Sequence, residues 1–340
     1  MNRLIELGRA GARVLLVGPP GCAKTGRIAG VADALGRRLI VSRVSLTDRL
    51  DWAGALVPDS GSGVCRQLPL ESLRELQTTT EPVLLLLDDL GQAPMDAQAA
   101  LMRLFDEGGL SDSVLVWAAT NRPGDKAGVS ALCEPLRSRF DCAFAIATPE
   151  ASTDGDATYL QPWADEVAGW VEWAMDNGAS PEVIAWHRAT SGRTLYQWKA
   201  CADPALRMPD FRSWGSVVKL WAAGVRDLGS LGAVIGKPAA AEFLAFARLS
   251  SQLPTPDQVW LDPAGAVVPS DPSACYLISS MLAAAVEGQH AGALMTYVDR
   301  LPRVYGALLA RDSLRKLGAS LSGRPEWVKW FNANQELFTA

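Results

Sequence analysis

A glycine- and proline-rich loop, residues 18–25 (GPPGCAKT), constrains the fold of this chain more than any other segment. It directly follows the short apolar run of residues 13–17 (RVLLV) and precedes a stretch that is compatible with a helix. Glycine and proline let the backbone curl so that several N–H groups point at one phosphate, and the N-terminus of the next helix adds partial positive charge. The spacing therefore predicts a strand, a phosphate loop and a helix in that order.

The residues of this phosphate loop (residues 18–25) have separate expected roles. We expect Lys24 to reach the β- and γ-phosphates of a nucleoside triphosphate, and the Thr25 hydroxyl to hold Mg²⁺. Ala23 stands where the usual pattern has its last glycine. Its methyl group can be tolerated if the local φ is negative, so we interpret Ala23 as a variant of the pattern. The predicted nucleotide-binding residues are Gly18, Pro19, Pro20, Gly21, Cys22, Ala23, Lys24 and Thr25.

Short apolar runs alternate with helix-like stretches through the first part of the chain. Runs this short and this continuously apolar are typical of strands that are buried on both faces of a parallel sheet. The alternation predicts an α/β fold, with a doubly wound nucleotide-binding domain at residues 1–150. A helix is expected at residues 97–105, with Asp96 as its N-cap. The candidate strands are residues 13–17, 39–44, 83–87, 114–118 and 143–147.

Two carboxylates, Asp88 and Asp89, follow the apolar run of residues 83–87 (VLLLL). A buried strand that ends in this way places both side chains at the carboxyl edge of the sheet, where α/β proteins bind their ligands. We expect Asp88 to act on Mg²⁺ through water and Asp89 to orient the attacking water. The alternative is that the two aspartates are acidic caps of the following turn.

Polar residues also follow the next candidate strand and precede the last one. Asn121 lies in residues 117–123 (WAATNRP), at the tip of a strand, where its amide is expected to bind the attacking water or the γ-phosphate. Arg137 and Arg139 lie just before the last candidate strand. Each arginine can instead pair with a local carboxylate, so the residues alone leave both roles open.

A polar stretch, residues 149–162, separates the α/β part of the chain from a part that is rich in tryptophan. Apolar residues recur with helical spacing over residues 163–174, which predicts one buried helix face. Helices are also expected at residues 239–249 and 274–286. These patterns predict an all-helical subdomain, with a C-terminal helical extension, at residues 151–340.

Charge and composition disfavour several classes of function. A net charge of −5 gives no overall attraction for phosphate, so nucleic acid is not an expected partner. The six cysteines include no close-spaced pair, and we expect the only two histidines, His187 and His290, to be ordinary surface or half-buried residues. We see no signal peptide and no apolar run of ~18–20 residues, so we expect a cytoplasmic protein without a membrane segment.

Taken in order, these motifs resemble those of an AAA+ ATPase, in particular the MoxR-like, dynein-related subgroup. The phosphate loop resembles Walker A, Asp88 and Asp89 resemble Walker B, and Asn121 resembles sensor 1. The resemblance implies a P-loop AAA+ core with a helical lid, and it implies ATP and Mg²⁺ as cofactors. It also implies an arginine finger that acts on the nucleotide of a neighbouring subunit, with Arg139 as the first candidate and Arg137 as the second.

The resemblance extends into the helical part of the chain and into an insert. Residues 210–214 (DFRSW) are similar to the motif that carries sensor 2 in this subgroup, which makes Arg212 the candidate. Residues 44–70 resemble the helix-2 insert, a segment that faces the pore or the partner in related rings. Gly61 and Gly63 fit the tip of a hairpin within this insert.

The resemblance implies ATP hydrolysis in a homo-oligomeric, hexameric ring that remodels or activates a protein client, for example one with a von Willebrand factor A domain. Two alternatives stay open. A helicase loader or initiator is favoured by Asp88 and Asp89, since the MoxR-like subgroup normally has Asp-Glu there. An ATP-gated scaffold with weak hydrolysis is the second alternative, because the side chain of Asp89 is one methylene shorter than that of glutamate.

Overall fold

The computed structural model describes residues 2–59, 61, 63–125, 128, 132–149, 157–199, 203 and 205–337. The chain divides into two compact units. The N-terminal unit comprises residues 1–166 and 198–202, and the C-terminal unit comprises residues 167–197 and 203–340. Residues 150–156 of the expected linker lie outside the described residues, so the boundary expected at residue 150 stays a prediction.

The N-terminal unit is built on a parallel sheet. The strands are β1 (Val14–Val17), β2 (Arg38–Arg43), β3 (Ala55–Asp59), β4 (Val64–Leu68), β5 (Val83–Asp88), β6 (Val114–Thr120) and β7 (Cys142–Ala145). Five of them form the sheet in the order β2–β5–β6–β1–β7, and each neighbouring pair is parallel. Every residue of β5 is buried, as its continuous apolar run requires. The predicted α/β fold with a parallel sheet is confirmed.

The strand ends differ from the predicted ones in a way that matters for function. β5 continues to Asp88 and β6 to Thr120, so both polar residues belong to the sheet itself. β7 instead ends at Ala145, two residues early, where the Ala145 N–H donates to the Thr158 carbonyl at 2.9 Å. Because the strands are parallel, β1, β5 and β6 all end at the same edge of the sheet.

Helices flank the sheet, and one of them begins differently from the prediction. The helices of this part of the chain are α1 (Asn2–Arg9), α2 (Lys24–Ala34), α3 (Arg49–Ala53), α4 (Glu71–Thr78), α5 (Met95–Leu101) and α6 (Glu134–Arg137). Pro94 is the N-cap of α5, so the prediction that Asp96 caps it is wrong. Asp96 lies in the first turn, where its carboxylate interacts favourably with the partial positive charge of the helix N-terminus. A 3-10 turn over residues 102–105 completes the expected helical stretch.

The expected insert contains a two-stranded antiparallel hairpin of β3 and β4. Every residue of β4 is exposed, and Leu56 and Val57 of β3 are exposed as well. Asp59 and Arg66 form an ion pair of 2.8 Å across the hairpin. Gly61 and Gly63 lie at its tip, whereas residues 60 and 62 lie outside the described residues. That this hairpin faces a partner stays a prediction.

The C-terminal unit is helical in its described residues. Its helices are α7 (Trp163–Asp176), whose first turn belongs to the N-terminal unit, α8 (Pro181–Ala189), α9 (Phe211–Ala222), α10 (Leu228–Ile235), α11 (Lys237–Ala247), α12 (Pro256–Leu261), α13 (Pro272–Ala285), α14 (Ala291–Val298), α15 (Arg303–Leu317), α16 (Ala319–Ser322) and α17 (Pro325–Ala333). The helices predicted near residues 163–174, 239–249 and 274–286 are α7, α11 and α13. In the part of the chain that the structure describes, no helix has the length and apolar character to cross a membrane.

An aromatic cluster in the C-terminal unit encloses His187. The imidazole has no exposed surface and lies 4.3 Å from the Trp214 ring and 4.7 Å from the Trp170 ring, measured between ring centroids. The expectation of a surface or half-buried His187 is therefore wrong. Burial lowers the pKa of His187 to about 3, so the ring is neutral at pH 7. His290 is partly exposed and stacks on Trp260.

Candidate functional site

The phosphate loop connects β1 to α2, and its geometry favours both of its glycines. A methyl group on Gly18 would lie 2.8 Å from the Cys22 Sγ and 3.0 Å from the Ile146 Cβ, distances that are too short for a real side chain. Gly21 has a φ of 76°, in the left-handed region that glycine adopts at no steric cost. Glycine at these two positions therefore lets the loop hold its curve without a steric clash or backbone strain.

Ala23 departs from the expected conformation. Its φ is 62° and its ψ is 30°, immediately before α2 begins at Lys24. The condition under which the methyl group would be tolerated, a negative φ, is therefore not met. A residue with a Cβ in this left-handed region costs about 1–2 kcal/mol, which explains why glycine is usual at this position of the pattern. The loop thus stores a modest strain next to the residue that is expected to bind phosphate.

The Lys24 side chain is buried, and oxygen atoms surround its ammonium group. The Nζ atom donates to the Gly18 carbonyl at 2.8 Å, to the Pro19 carbonyl at 3.1 Å and to the Asn121 Oδ1 at 2.7 Å. These contacts fix the charge between the phosphate loop and the end of β6. Because these three oxygen atoms use all three N–H donors of the ammonium group, a phosphate oxygen would have to replace one of them.

Thr25 and Asp88 form the second contact of the site. The Thr25 hydroxyl donates to the Asp88 Oδ2 at 2.8 Å, although 63 residues separate the two in the chain. The contact joins the first turn of α2 to the end of β5. A hydroxyl and a carboxylate together offer the oxygen ligands that Mg²⁺ prefers.

Asp89 begins the turn that follows β5, and we call Asp88, the last residue of β5, together with this turn (residues 88–93) the acidic turn. Its φ of 55° is left-handed, a conformation that aspartate tolerates better than most residues. The Asp89 N–H donates to the Asp88 Oδ1 at 3.1 Å, so the two aspartates are held in a fixed relation. Within the same turn the Gly91 N–H donates to the Thr120 Oγ1 at 3.1 Å, which connects the acidic turn to β6.

Asn121 lies directly after β6 and is buried together with Thr120. The Thr120 carbonyl also accepts the Gly18 N–H at 3.1 Å, so this residue contacts both the phosphate loop and the acidic turn. Sequence reasoning selected Asn121 but missed Thr120. Its position at the end of a buried strand was the signal, since that is the strand end where the other polar residues meet.

Arg137 and Arg139 occupy a segment of residues 133–140, which we call the arginine segment. Both side chains are exposed. Arg137 pairs with Glu134 at 2.8 Å, and Arg139 lies 3.6 Å from an Asp106 carboxylate oxygen. The structure therefore shows the local carboxylate pairs that the sequence left open, and it places neither arginine in contact with Lys24, Asp88 or Asn121 among the contacts it describes.

Arg212 lies in the C-terminal unit, on the first turn of α9, and its side chain is exposed. The turn is fixed by a capping box in which the Asp210 carboxylate accepts the Ser213 N–H and the Ser213 hydroxyl accepts the Asp210 N–H. Trp214 of the same motif is fully buried, and its indole N–H donates to the Thr194 carbonyl at 2.7 Å. The motif is thus anchored within its own unit, and the sensor role of Arg212 stays a prediction.

An ion pair that sequence reasoning missed lies close behind the phosphate loop. Arg27 of α2 pairs with Glu166 in the first turn of α7, and the Glu166 side chain has no exposed surface. Burial raises the pKa of Glu166, and the Arg27 guanidinium opposes that shift. No local pattern could have matched these two residues, because they are 139 positions apart. The same surroundings bury Cys22, and burial raises the pKa of its thiol, which makes Cys22 an inert packing residue.

The arrangement fits a nucleoside triphosphate with Mg²⁺. The phosphate loop presents Lys24 and a helix N-terminus to an anion, while Thr25 and Asp88 offer oxygen ligands to a hard cation. Within the described ranges there is no cluster of three or more His, Cys, Asp or Glu side chains that forms a metal site of protein ligands alone. A Mg²⁺ ion here would thus depend on phosphate oxygens and water as well.

Comparison with known proteins supports this fit. Residues 14–148 match the family described as "ATPase family associated with various cellular activities (AAA)". Among curated proteins, none shows significant similarity to this chain. One similar solved structure is NtrX from Brucella abortus in complex with ADP, at 13% identity and a TM-score of 0.40 over 99% of this chain and 67% of the other.

A second similar structure is a protein from Cytophaga hutchinsonii that is provisionally named an ATPase. It is 15% identical, with a TM-score of 0.30 over 72% of this chain and 78% of the other. The matched residues contain the five-stranded parallel sheet, the phosphate loop, the acidic turn and Asn121. Residues 14–148 of this chain therefore match this family model and carry the parallel sheet and phosphate loop described above.

Proposed function

We propose that this chain binds ATP together with Mg²⁺ at the phosphate loop and hydrolyses it to ADP and phosphate. The observation that carries the proposal is the meeting of Lys24, Thr25, Asp88 and Asn121 at one edge of the sheet. Lys24 binds the β- and γ-phosphates, and Thr25 and Asp88 hold the metal ion. Bound Mg²⁺ supplies charge neutralisation at the phosphates.

The remaining roles concern the attacking water. Asp89 orients the water and accepts its proton. Asn121 holds the Lys24 ammonium group, and its amide would bind the γ-phosphate or the attacking water. In-line phosphoryl transfer needs mainly positioning and charge stabilisation, which a set of fixed polar groups can provide. Every one of these groups sits at a strand end or on a helix that begins there, so little reorganisation is needed.

We further propose that hydrolysis requires assembly into a homo-oligomeric ring, as in the hexameric rings of the MoxR-like subgroup. Arg139, or else Arg137, then acts on the nucleotide of the neighbouring subunit, and Arg212 acts as sensor 2. The exposure of both arginines supports this role. Exposed ion pairs contribute only about 0–1 kcal/mol, so either arginine can leave its local carboxylate at small cost.

The same subgroup suggests that the ring remodels or activates a protein client, for example one with a von Willebrand factor A domain. The two-stranded hairpin of β3 and β4 supports the proposal of a protein partner, because its apolar side chains are exposed. An isolated two-stranded ribbon is marginally stable in water, and contact with another protein would bury its apolar surface.

The test measures ATP turnover per subunit against protein concentration for the wild type and for Arg139→Ala. We expect specific activity to rise with concentration, and the variant to lose about 10³-fold or more in turnover while it still assembles. Arg9→Ala is the matched control, since Arg9 is an exposed arginine on α1 away from the sheet edge that carries the site. The role of the arginine would be refuted if turnover did not depend on protein concentration and Arg139→Ala matched the wild type and Arg9→Ala.

One observation favours a second candidate, an ATP-gated scaffold that hydrolyses slowly. The residue that would orient the water is Asp89, whose carboxylate reaches one methylene less far than glutamate. This candidate predicts tight ATP binding that Lys24→Ala abolishes, and almost no phosphate release by the assembled wild type. Rapid multiple turnover of ATP by the assembled protein would exclude this candidate.

A further inference from the structure

A fully buried glutamine joins α5 to the arginine segment. The Gln98 side chain has no exposed surface, and both ends of its amide are used. The Nε2 atom donates to the Ala93 carbonyl at 3.1 Å, and the Oε1 atom accepts the Cys133 N–H at 3.0 Å. The partners fix the orientation of the amide, because a carbonyl can only accept and a backbone N–H can only donate.

The first contact is with the acidic turn. Ala93 ends this turn, and its N–H donates to the Leu90 carbonyl at 3.2 Å. The Gln92 N–H donates to the Asp89 carbonyl at 2.9 Å. Consecutive backbone hydrogen bonds therefore connect Asp89 to Ala93 within the turn. The Ala93 carbonyl, and with it the Gln98 amide, is therefore fixed relative to the residues that act on water and metal.

The second contact is with the start of the arginine segment. Cys133 is the N-cap of α6, and its carbonyl accepts the N–H groups of Leu136 and Arg137, both at 3.0 Å. The Arg139 N–H in turn donates to the Leu136 carbonyl at 3.1 Å. Because Gln98 holds the Cys133 N–H, it sets where this short helix begins and hence where both arginine side chains leave the backbone.

Apolar contacts hold the rest of the arginine segment against the same helix and the turn after it. Leu136 and Phe140 belong to the buried core that also contains Ala97 and Leu101 of α5. The Phe140 ring meets the Phe105 ring edge to face, with centroids 5.5 Å apart. These apolar contacts keep the arginine segment packed against α5, but they depend little on orientation. The two hydrogen bonds of the Gln98 amide are directional and fix the position of the arginine segment along α5.

The presence of glutamine at a fully buried position needs a reason. An apolar side chain of similar length would fill the same space without the cost of removing an amide from water. The hydrogen bonds recover that cost only if both partners stay in place, so a buried glutamine favours one arrangement of α5 and the arginine segment over others.

We propose that Gln98 is a positioning residue that couples the acidic turn to the arginine segment, so that one subunit presents Arg139 or Arg137 to its neighbour in a fixed direction. The inference rests on the proposed function, in which an arginine acts across subunits. It assigns Gln98 no contact with nucleotide. Its effect must therefore appear in the neighbour's turnover rather than in its own nucleotide binding.

Mixed assemblies separate these effects. Donor subunits carry Lys24→Ala, which removes their own turnover but leaves their arginines, and acceptor subunits carry Arg137→Ala with Arg139→Ala. The mixture of the two, each inactive alone, should regain ATP turnover. Failure to regain it refutes the proposed action across subunits, and the role of Gln98 falls with it.

Gln98→Met is then added to either the donor or the acceptor. We expect the restored turnover to fall about tenfold or more when the change is in the donor, since small misplacements of a catalytic group are costly, and to fall less than about twofold when it is in the acceptor. Equal loss in both positions, a larger loss in the acceptor, or no loss in the donor would each overturn the proposal.

Two controls exclude a loss of folding. Leu101→Met changes another fully buried residue of α5 without removing a side-chain hydrogen bond, and in the donor it should leave the restored turnover within about twofold. Gln98→Met alone should still bind ATP and assemble like the wild type. A donor loss that Leu101→Met reproduces would show that packing, and not the amide, positions the arginines.

Discussion

The Lys24 ammonium nitrogen lies 2.7 Å from the Asn121 Oδ1, so a side-chain hydrogen bond joins the loop after β1 to the end of β6. The bond holds the ammonium group of Lys24 at the edge of the sheet where β5 also ends. It also shows that the amide of Asn121 has a task before any reaction, namely to hold the cation in place.

We expect Asn121→Ala to lower ATP turnover about 10²-fold, because the site loses both the support of Lys24 and a polar group that can bind the γ-phosphate. ATP affinity should change little, since the Gly18 and Pro19 carbonyls still hold Lys24. Steady-state turnover and equilibrium nucleotide binding measure the two effects. Asn177→Ala, at an exposed position after α7, is the control that should behave like the wild type.

Asp89→Asn should keep the structure of the acidic turn and remove its chemistry. Asparagine tolerates the left-handed φ of 55° as aspartate does, but it cannot accept a proton from water. We expect turnover to fall about 10²–10⁴-fold with ATP binding retained. The control is Asp96→Asn in the first turn of α5. Unchanged turnover in Asp89→Asn would remove Asp89 from the reaction.

Ala23→Gly should stabilise the protein, which is the reverse of the usual effect of glycine. The left-handed φ of 62° strains alanine, and glycine relieves this at the smaller cost of a more flexible unfolded chain. We expect a gain of about 1 kcal/mol in the free energy of unfolding, measured in urea without nucleotide. Ala29→Gly within α2 should show the opposite sign, a loss of about 0.5–1 kcal/mol. Equal losses in both variants would show that Ala23 is not strained.

The ion pair of Arg27 and Glu166 gives a prediction about coupling. Removing one partner leaves a buried charge, so Arg27→Met and Glu166→Leu should each cost about 3–5 kcal/mol. The double variant should cost much less than the sum, because no unpaired charge remains. Urea unfolding of all four proteins completes the cycle. Additive losses would show that the pair does not act as a unit.

Much of this site follows from sequence, because its key residues stand next to strong local signals. The apolar run before Asp88 marks a buried strand, and parallel strands necessarily end at a common edge. What could not be predicted depends on distant residues or on backbone angles. The glycine that is usual at the position of Ala23 is a sign of a left-handed φ, but alanine itself gives no such sign. No residue near Glu166 in the sequence indicates that Arg27 pairs with it. Likewise, the helical pattern around His187 could not show that two tryptophans from other helices enclose the ring.

His187 should make the C-terminal unit sensitive to acid. Burial depresses the pKa of the folded state to about 3, against about 6.5 in the unfolded chain, so between these values only the unfolded state binds the proton. The contribution of neutral His187 to the free energy of unfolding is therefore fully present above pH 6.5. It decreases as the pH falls, by about 2 kcal/mol at pH 5. His187→Leu should flatten this part of the curve of unfolding free energy against pH. His290 is the only other histidine of the sequence, and it is partly exposed. His290→Leu should therefore keep the wild-type slope. If both variants lose stability with acid as the wild type does, carboxylates and not His187 set the slope.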